Sequence, residues 1–241
     1  MIKFFRKIRY DLMKQNKTSK YLKYAIGEIL LVMIGILLAL QVGTWNEERK
    51  QQETLNAIYL ITKEDLIDDL AVIDTFIKEF EEIRSPAFKA VLTTNPTKED
   101  WLKNPQYTTV MGGFEDFAIH QRGFELLKRQ SNLSKKMDEN LTSKINSFYN
   151  KHIIEIDVAL LEFSNEFTSN IEYYKNYDWF SSYILDNNLD GPSDFFPNNP
   201  IAKNNITWYH LVYSIYVSEL KNFSNNAKEL IILIDKHNNE N

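Results

Sequence analysis

The chain of 241 residues is long enough for one sizeable domain with an appendage, and its lack of cysteine excludes disulfides, thiolate metal sites and a cysteine nucleophile. Only 7 glycines and 6 prolines are present, which favours long helices over a turn-rich β-sandwich. Residues 1–23 contain eight Lys or Arg and one Asp, a charge of +7, so the net charge of −5 leaves −12 for the remainder. An acidic main part disfavours nucleic acid as its partner, whereas a basic tail beside a membrane segment suits anionic lipid headgroups.

Residues 24–43 are predicted to form a transmembrane helix. They contain twelve consecutive apolar or small residues at positions 29–40, and a helix over residues 24–42 spans about 28 Å, close to the ~30 Å hydrocarbon core of a bilayer. The excess of Lys and Arg before this segment places the N-terminus in the cytoplasm, and no A-x-A-like cleavage site follows the segment. We therefore expect a basic cytoplasmic tail over residues 1–23, an uncleaved transmembrane helix over 24–43 and a helical periplasmic domain over 44–241.

Two features of this helix point beyond simple anchoring, and each has an ordinary alternative. Gly35, Ala39 and Gly43 recur at every fourth position, so they share one face and would let a second helix approach closely. Gly and Ala are also common in membrane helices that have no such role. Glu28 is a carboxylate within the apolar segment: it is either an intramembrane functional group or a side chain that reaches the headgroups and the basic flank.

The N-terminal fifty residues carry a family resemblance. The stretch KYLKYAIGEILLVMIGILLAL, followed by Gln41 and by Trp45, Asn46 and Glu47, and the opening MIKFFRKIR resemble the N-terminal signature of an uncharacterised family of membrane-anchored proteins in Bacteroidetes-type bacteria. The segment GFELLKRQSNLSKKMDENLTSKINSFYN is similar to a weaker mid-chain pattern of the same family. The resemblance implies a bacterial inner-membrane location; because that family has no assigned catalytic residues, it implies no activity.

The first part of the exported domain is predicted to be an amphipathic helix ending near Arg84, because apolar residues recur there at spacings of three, four and seven. Thr44 and Glu47 have capping-box spacing, so this helix either starts afresh or continues the transmembrane helix. Ser85 and Pro86 are typical of a new helix start and predict a short helix over residues 87–92. Residues 95–105 are expected to be loop-like, with one turn around Asp100.

The remainder is also predicted to be helical. Helices are expected over residues 114–129, from Ser134 to Tyr174 after a break at Ser131 and Asn132, and over residues 206–236. Residues 178–204, rich in Asn, Asp and Pro, are expected to be irregular. The predicted fold class is therefore all-α: a single N-terminal transmembrane helix followed by an elongated antiparallel helical bundle.

Sequence motifs for catalysis are missing. The four histidines have none of the spacings of zincin or di-iron sites, and no phosphate-binding glycine loop or nucleophile elbow occurs. His152 lies on an apolar stripe, which favours a core histidine with one hydrogen bond. The acidic series Glu64, Asp65, Asp68 and Asp69 could bind a divalent cation, but a solvated helix face is the preferred interpretation. We predict no catalytic, cofactor-binding or metal residues and no enzymatic activity.

One segment offers a weak alternative cofactor, calcium. Asp186, Asn188 and Asp190, followed by Gly191, reproduce the DxNxDG opening of a calcium loop, with oxygen ligands at alternate positions. The closing Glu of such a loop would fall at Pro197, so the motif is incomplete. An Asn- and Asp-rich turn gives the same pattern without calcium and is the preferred interpretation.

Aromatic residues are concentrated around the segment 173–216. Tyr177, Trp179, Tyr183 and Trp208 are the members singled out as a ligand or partner patch; the alternative is that these rings pack on the end of the bundle. From this layout we expect a membrane-anchored envelope interaction or scaffold protein, with the lipid bilayer, an envelope protein or a second copy of the chain as partners and no nucleic acid. The alternative function is a ligand-sensing periplasmic module that signals through a partner membrane protein.

Overall fold

The structure, a computed structural model, describes residues 18–130 and 139–240, together with Arg6, Tyr10 and Lys14. Within these residues it contains helices and no strands, so the all-α prediction is confirmed. The chain divides into two compact units, residues 1–55 and 56–241, and each is described by itself. The predicted break at Ser131 and Asn132 and the predicted helix start at Ser134 lie outside the described residues.

Helix α1, Thr18–Glu79, begins in the first unit. The capping box predicted at Thr44 does not form, because the Thr44 hydroxyl donates to the Leu40 carbonyl at 3.0 Å, as it does inside a helix. Of the two alternatives, the continuous helix is therefore the one observed.

The helix does not break at Ser85 and Pro86 as predicted. A π-helical turn, Phe80–Arg84, leads directly into α2, Ser85–Thr94, and Ser85 itself has helical dihedral angles. The Ser85 N–H donates to the carbonyl of Phe80, five residues back. Since Pro86 has no N–H to donate, a widened turn just before it accommodates the proline without ending the helix.

The region that follows is built from short elements. Helix α3, Lys98–Lys103, begins with a capping box between Thr97 and Asp100, which fits the turn predicted around Asp100. A 3-10 helix, Pro105–Val110, comes next and leads into the glycine pair Gly112 and Gly113.

Residues 112–121 are not helical, so the prediction of a helix over 114–129 is wrong for its first half. Helix α4, Arg122–Arg129, forms only its end. This extended segment returns along α1: Gly113 contacts Arg84, His120 contacts Asp69 and Gly123 contacts Asp65. Asp69 accepts the backbone N–H of His120, at the end of the extended segment, and Asp65 accepts that of Gly123, in the first turn of α4. These two N–H groups are thus satisfied by side chains of α1.

Helices α5, Glu139–Tyr174, and α8, Pro200–Glu240, are the longest that lie wholly within the second unit. Helix α8 is antiparallel to α5, since Phe223 contacts His152 whereas Tyr213 contacts Phe163. It is also antiparallel to α1, since Tyr59 contacts His237 whereas Phe80, directly after α1, contacts Tyr213. Helices α1 and α5 therefore run parallel, and the extended segment provides the return between them.

Most of residues 178–204 are helical, and the prediction of an irregular region is wrong. Helix α6 is Trp179–Asp186 and α7 is Asp190–Asn198. Asn187 ends α6 in the left-handed conformation, and the Asn199 side chain accepts from Ala202 N at the start of α8. The Asn residues that suggested a loop are thus helix caps, a role for which their short polar side chains are well suited.

Candidate functional site

The first candidate is the apolar part of α1. It contains an 18-residue window with a mean hydropathy of 2.4, and none of that window is buried. The helix is therefore long and apolar enough to cross a membrane. A Cβ added at Gly35 or Gly43 would meet no atom within 4 Å, so this face stays open to another helix, and the packing role of Gly35, Ala39, Gly43 and Glu28 stays a prediction.

The second candidate is a pair of buried carboxylates on α1. Asp65 and Asp69 are fully buried, whereas Glu64 and Asp68 are exposed. Asp65 accepts from the Arg122 Nε at 2.7 Å and from the Gly123 backbone N–H at 2.8 Å. The prediction of a solvated face is thus wrong for Asp65 and Asp69. Their four-residue spacing in phase with buried Leu66 and Ile73 was the available signal, but it does not show what would pair with them.

Asp69 binds the end of the extended segment. It accepts from the backbone N–H of His120 at 3.2 Å and lies 2.6 Å from His120 Nδ1. Burial raises the pKa of Asp69 to about 6, and the hydrogen bond to Asp69 raises the pKa of His120. An Asp–His pair of this kind also occurs in hydrolases, but the described contacts of both carboxylates go to backbone N–H groups, His120 and Arg122. We interpret the pair as a clamp on the extended segment.

His152 is confirmed as a core histidine. It is 1% exposed and its Nε2 lies 2.9 Å from the amide nitrogen of Asn226. Because the amide nitrogen can only donate, Nε2 accepts and Nδ1 carries the hydrogen of the neutral ring. Burial lowers the pKa of His152, which favours this neutral form.

The third candidate is the aromatic cluster at the far end of α5. Tyr177 and Trp179 both contact the ring of Phe195, and Tyr183 contacts Trp179. Three of the four singled-out residues are therefore brought together on the bundle end, as the packing alternative proposed. Trp208 is not among their ring contacts; it is 52% exposed on α8.

A cavity of 350 Å³ lies beside this cluster, and we call it the aromatic cavity. One wall consists of Phe167 and Tyr174 from α5 with Trp179, Phe180 and Tyr183 from α6. The other wall consists of Arg84, the 3-10 helix and the glycine pair. Its volume lies in the range of ligand pockets, which are mostly apolar with a few polar groups.

The glycine pair shapes the second wall. Gly113 has φ of +125°, a conformation that favours glycine, and a Cβ there would collide with the Arg84 guanidinium, 3.3 Å from its Cζ. Arg84 donates to the Gly113 carbonyl at 3.1 Å and to Glu79 at 2.8 Å, and it lies 3.3 Å from Glu115. Sequence reasoning missed Arg84 here, because it lies about ninety residues from the aromatic cluster in the chain.

Two residues of the incomplete calcium motif, Asn188 and Asp190, have partners of their own. Asp190 pairs with Lys98, and Asn188 accepts from the Asp190 backbone N–H at 3.0 Å. Gly191 lies against Trp179, where a side chain would not fit. Among the described residues, no group of three or more His, Cys, Asp or Glu is placed to hold a metal ion. Calcium binding by Asp186, Asn188 and Asp190 stays a prediction.

No family model matches this chain, and neither a curated protein nor a solved structure matches it. The resemblance of the N-terminal residues to a membrane-anchored family stays a prediction.

Proposed function

We propose that the protein is a membrane-anchored interaction or scaffold protein of the bacterial envelope, with its N-terminus in the cytoplasm and its helical domain in the periplasm. The observation that carries this proposal is the fully exposed apolar window of α1. Leaving about a dozen large apolar side chains in water would cost on the order of 10 kcal/mol or more, so a bilayer is the natural environment for this segment.

The charge distribution supports the orientation. The tail over residues 1–23 has a charge of +7 and precedes the apolar segment. Lys and Arg close to a membrane helix are retained on the cytoplasmic side, and they gain about 1 kcal/mol each near anionic headgroups. The acidic remainder of the chain would then be exported.

Two apolar stripes support a role in protein binding. Ile154, Val158 and Leu161 on α5 recur at helical spacing and are 57–64% exposed. On α8, Trp208, Leu211 and Ile215 form a similar stripe that is 47–52% exposed. Both stripes lie opposite the buried face of their helix, and contiguous exposed apolar residues are typical of binding surfaces.

Site-specific photocrosslinking in intact cells tests the proposal. A photoreactive residue in place of Leu211 or Val158 is expected to give a discrete crosslinked species, either a dimer of the chain or a complex with an envelope protein. The same residue in place of Lys228, which is exposed on α8 outside the stripe, is the matched control. Recovery of the monomer alone from both stripe positions would contradict a role in protein interaction.

A second candidate function, a ligand-sensing module, is favoured by one observation, the aromatic cavity. A volume of 350 Å³ walled by five aromatic rings suits a small molecule better than a protein surface. Such a module would report ligand binding through a partner membrane protein whose helix packs against the open face of α1.

A further inference from the structure

The aromatic cavity has a wall of rings. Phe167, Tyr174, Trp179, Phe180 and Tyr183 all line it. Flat apolar molecules gain most from such a wall, because stacked and edge-to-face ring contacts add to the burial of apolar area. The body of a fitting ligand is therefore flat and apolar.

The electrostatics of the cavity select a neutral ligand. Arg84 is the charged residue in the lining, and its side chain is 7% exposed. Its guanidinium is already paired with Glu79 at 2.7 Å and with Glu115 at 3.3 Å. An anion would thus meet a cation that two carboxylates have neutralised, while a cation would be placed beside the guanidinium itself.

Two buried donors at the aromatic wall have no hydrogen-bond partner among the described residues. They are the hydroxyl of Tyr174 and the indole Nε1 of Trp179. Tyr174 is only 1% exposed, so a ligand acceptor reaches its hydroxyl only when the rings of this wall shift to open it. An unpaired buried polar group destabilises the fold, and a ligand acceptor that bonded to these donors would remove that penalty.

We propose that the aromatic cavity binds a small neutral molecule with a flat apolar body and a hydrogen-bond acceptor, such as an aryl ketone or aryl amide, with the acceptor bonded to Tyr174 and Trp179. The inference rests on the second candidate function, ligand binding. It does not depend on which side of the membrane the domain occupies.

Indole N–H resonances of the full-length protein in detergent, labelled with ¹⁵N-tryptophan, provide the test. The chain has four tryptophans, and each signal is assigned from a Trp→Phe variant. Acetophenone is expected to shift the Trp179 signal in a saturable manner and to leave Trp101 in place. Trp101 is the internal control, because its Nε1 is also buried without a partner but it does not line the cavity. Trp45, just after the apolar segment, reports any partition of the probe into the micelle.

Two matched probes separate the parts of the proposal. α-Methylstyrene has the shape of acetophenone with CH₂ in place of the carbonyl oxygen, and we expect it to bind about tenfold more weakly, the effect of one net hydrogen bond. Benzoate keeps the ring but is an anion, and we expect weaker binding for it as well. Equal affinity for α-methylstyrene would show that the ligand needs no hydrogen-bond acceptor. Tighter binding of benzoate would show that the cavity does not prefer neutral ligands. If no probe gave a saturable Trp179 shift, the aromatic cavity would not be a binding site.

A tyrosine variant tests whether the Tyr174 hydroxyl is the hydrogen-bond donor to the ligand. Tyr174→Phe should bring the affinity for acetophenone down to that for α-methylstyrene, whereas Tyr149→Phe should leave it unchanged. Tyr149 is a matched control, since its hydroxyl is also buried without a partner and it lies outside the cavity lining. Equal acetophenone affinity in the two variants would remove Tyr174 from the site. A protein that crosslinks to a partner in cells but shows no Trp179 shift would keep the scaffold function and lose this inference.

Discussion

Asp65 shows how a buried carboxylate can be tolerated on a helix. Removing a charge from water costs several kcal/mol unless the charge is paired and hydrogen-bonded. Asp65 has both compensations, because it accepts from the Arg122 guanidinium and from the Gly123 backbone N–H. The arrangement also satisfies an N–H at the start of α4 that has no partner within its own helix.

Replacement of Asp65 is therefore expected to loosen α4 from α1. Asp65→Ala leaves the Gly123 N–H unpaired, and we expect a loss of about 2–3 kcal/mol in the free energy of unfolding. Urea denaturation of the protein in mild detergent, followed by tryptophan fluorescence, measures the change. Asp68→Ala is the control: Asp68 is 63% exposed, so its loss should stay within about 0.5 kcal/mol. Equal losses in the two variants would contradict the clamp.

The Asp69–His120 pair should make stability depend on pH. The folded pKa of Asp69 is about 6 against 3.8 for the free side chain, and the folded pKa of His120 is raised above 6.5. The folded pair therefore holds a proton that the unfolded chain releases, and its stabilising contribution falls as pH rises from about 5 to 8. Asp69→Asn abolishes this dependence, so the stability advantage of the wild type over the variant should shrink over that range, by on the order of 2 kcal/mol.

The comparison with Asp69→Asn is needed because two other histidines change stability with pH in the opposite direction to the Asp69–His120 pair. Burial lowers the pKa of His152 and of His210, so both groups add stability as pH rises. Thermal melts of wild type and variant at pH 5.5 and 8 cancel these shared contributions. Asp74→Asn, at an exposed position on the same helix, should follow the wild type at both pH values. A constant difference between the wild type and Asp69→Asn would refute the proton-holding pair.

At the scale of elements, the contact between α4 and α1 depends on a glycine. A Cβ at Gly123 would lie 2.5 Å from the Thr62 nitrogen and 2.6 Å from its Cα, far inside van der Waals contact. The N–H of Gly123 can reach Asp65 only because α4 approaches the backbone of α1 so closely. Glycine is required at position 123 because there is no room for a Cβ atom, and not because of its backbone dihedral angles.

Gly123→Ala should consequently separate the two helices. We expect a loss of at least 2 kcal/mol in the free energy of unfolding, measured by urea denaturation, because overpacking forces backbone shifts. A second change, Thr62→Ala, should not restore stability, since the clash involves the Thr62 backbone as well as its hydroxyl. Gly27→Ala, where the new Cβ would meet nothing within 4 Å, is the control and should not lower the free energy of unfolding. Rescue by Thr62→Ala would show that the backbones are farther apart than described.

Helical periodicity predicted the long elements well and the connections poorly. The helix expected over residues 206–236 is observed as α8, because a long amphipathic repeat leaves few alternatives. Residues 114–121 also carry apolar side chains at helical spacing, yet they are extended. His120 in this stretch is bound by Asp69 on α1, about fifty residues earlier, and such a long-range partner leaves no local signal.

Only one wall of the aromatic cavity was predictable from the sequence. The density of rings at Tyr177, Trp179 and Tyr183 pointed to the right region. The opposite wall was not predictable, because Arg84 and the glycine pair reach it through the π-helical turn and the return of the chain. Asn187 and Asn199 were misinterpreted for a related reason: a cap and a loop use the same residue types, and only the neighbouring helices distinguish them.

At the scale of the whole molecule, the two units differ in how far their apolar side chains are buried. In residues 56–241, large side chains such as Phe163 and Tyr216 are buried between helices. In the first unit, the apolar window of α1 has no cover at all within the described residues. Burial between helices is what a protein core provides, whereas the unburied apolar window of α1 needs an apolar environment outside the described residues. The exposed apolar area of α1 therefore favours a bilayer.

Membrane attachment should therefore depend on the apolar window and not on apolar residues elsewhere. Nine Leu, Ile or Val residues at positions 29–40 provide about −4 kcal/mol of insertion free energy, whereas one Arg at the centre costs about 2.5–3.5 kcal/mol. Replacing Leu31, Ile34 and Leu38 by Arg should thus move the protein from the membrane pellet to the supernatant on carbonate extraction. The same three substitutions at Ile154, Val158 and Leu161 remove equally exposed apolar residues from α5 and should leave the protein in the pellet. Alkaline phosphatase fused after Asn241 should be active in the wild type, because the enzyme needs export, and inactive in the first variant. An inactive wild-type fusion would refute the proposed orientation, and activity in both proteins would show that export does not depend on the apolar window.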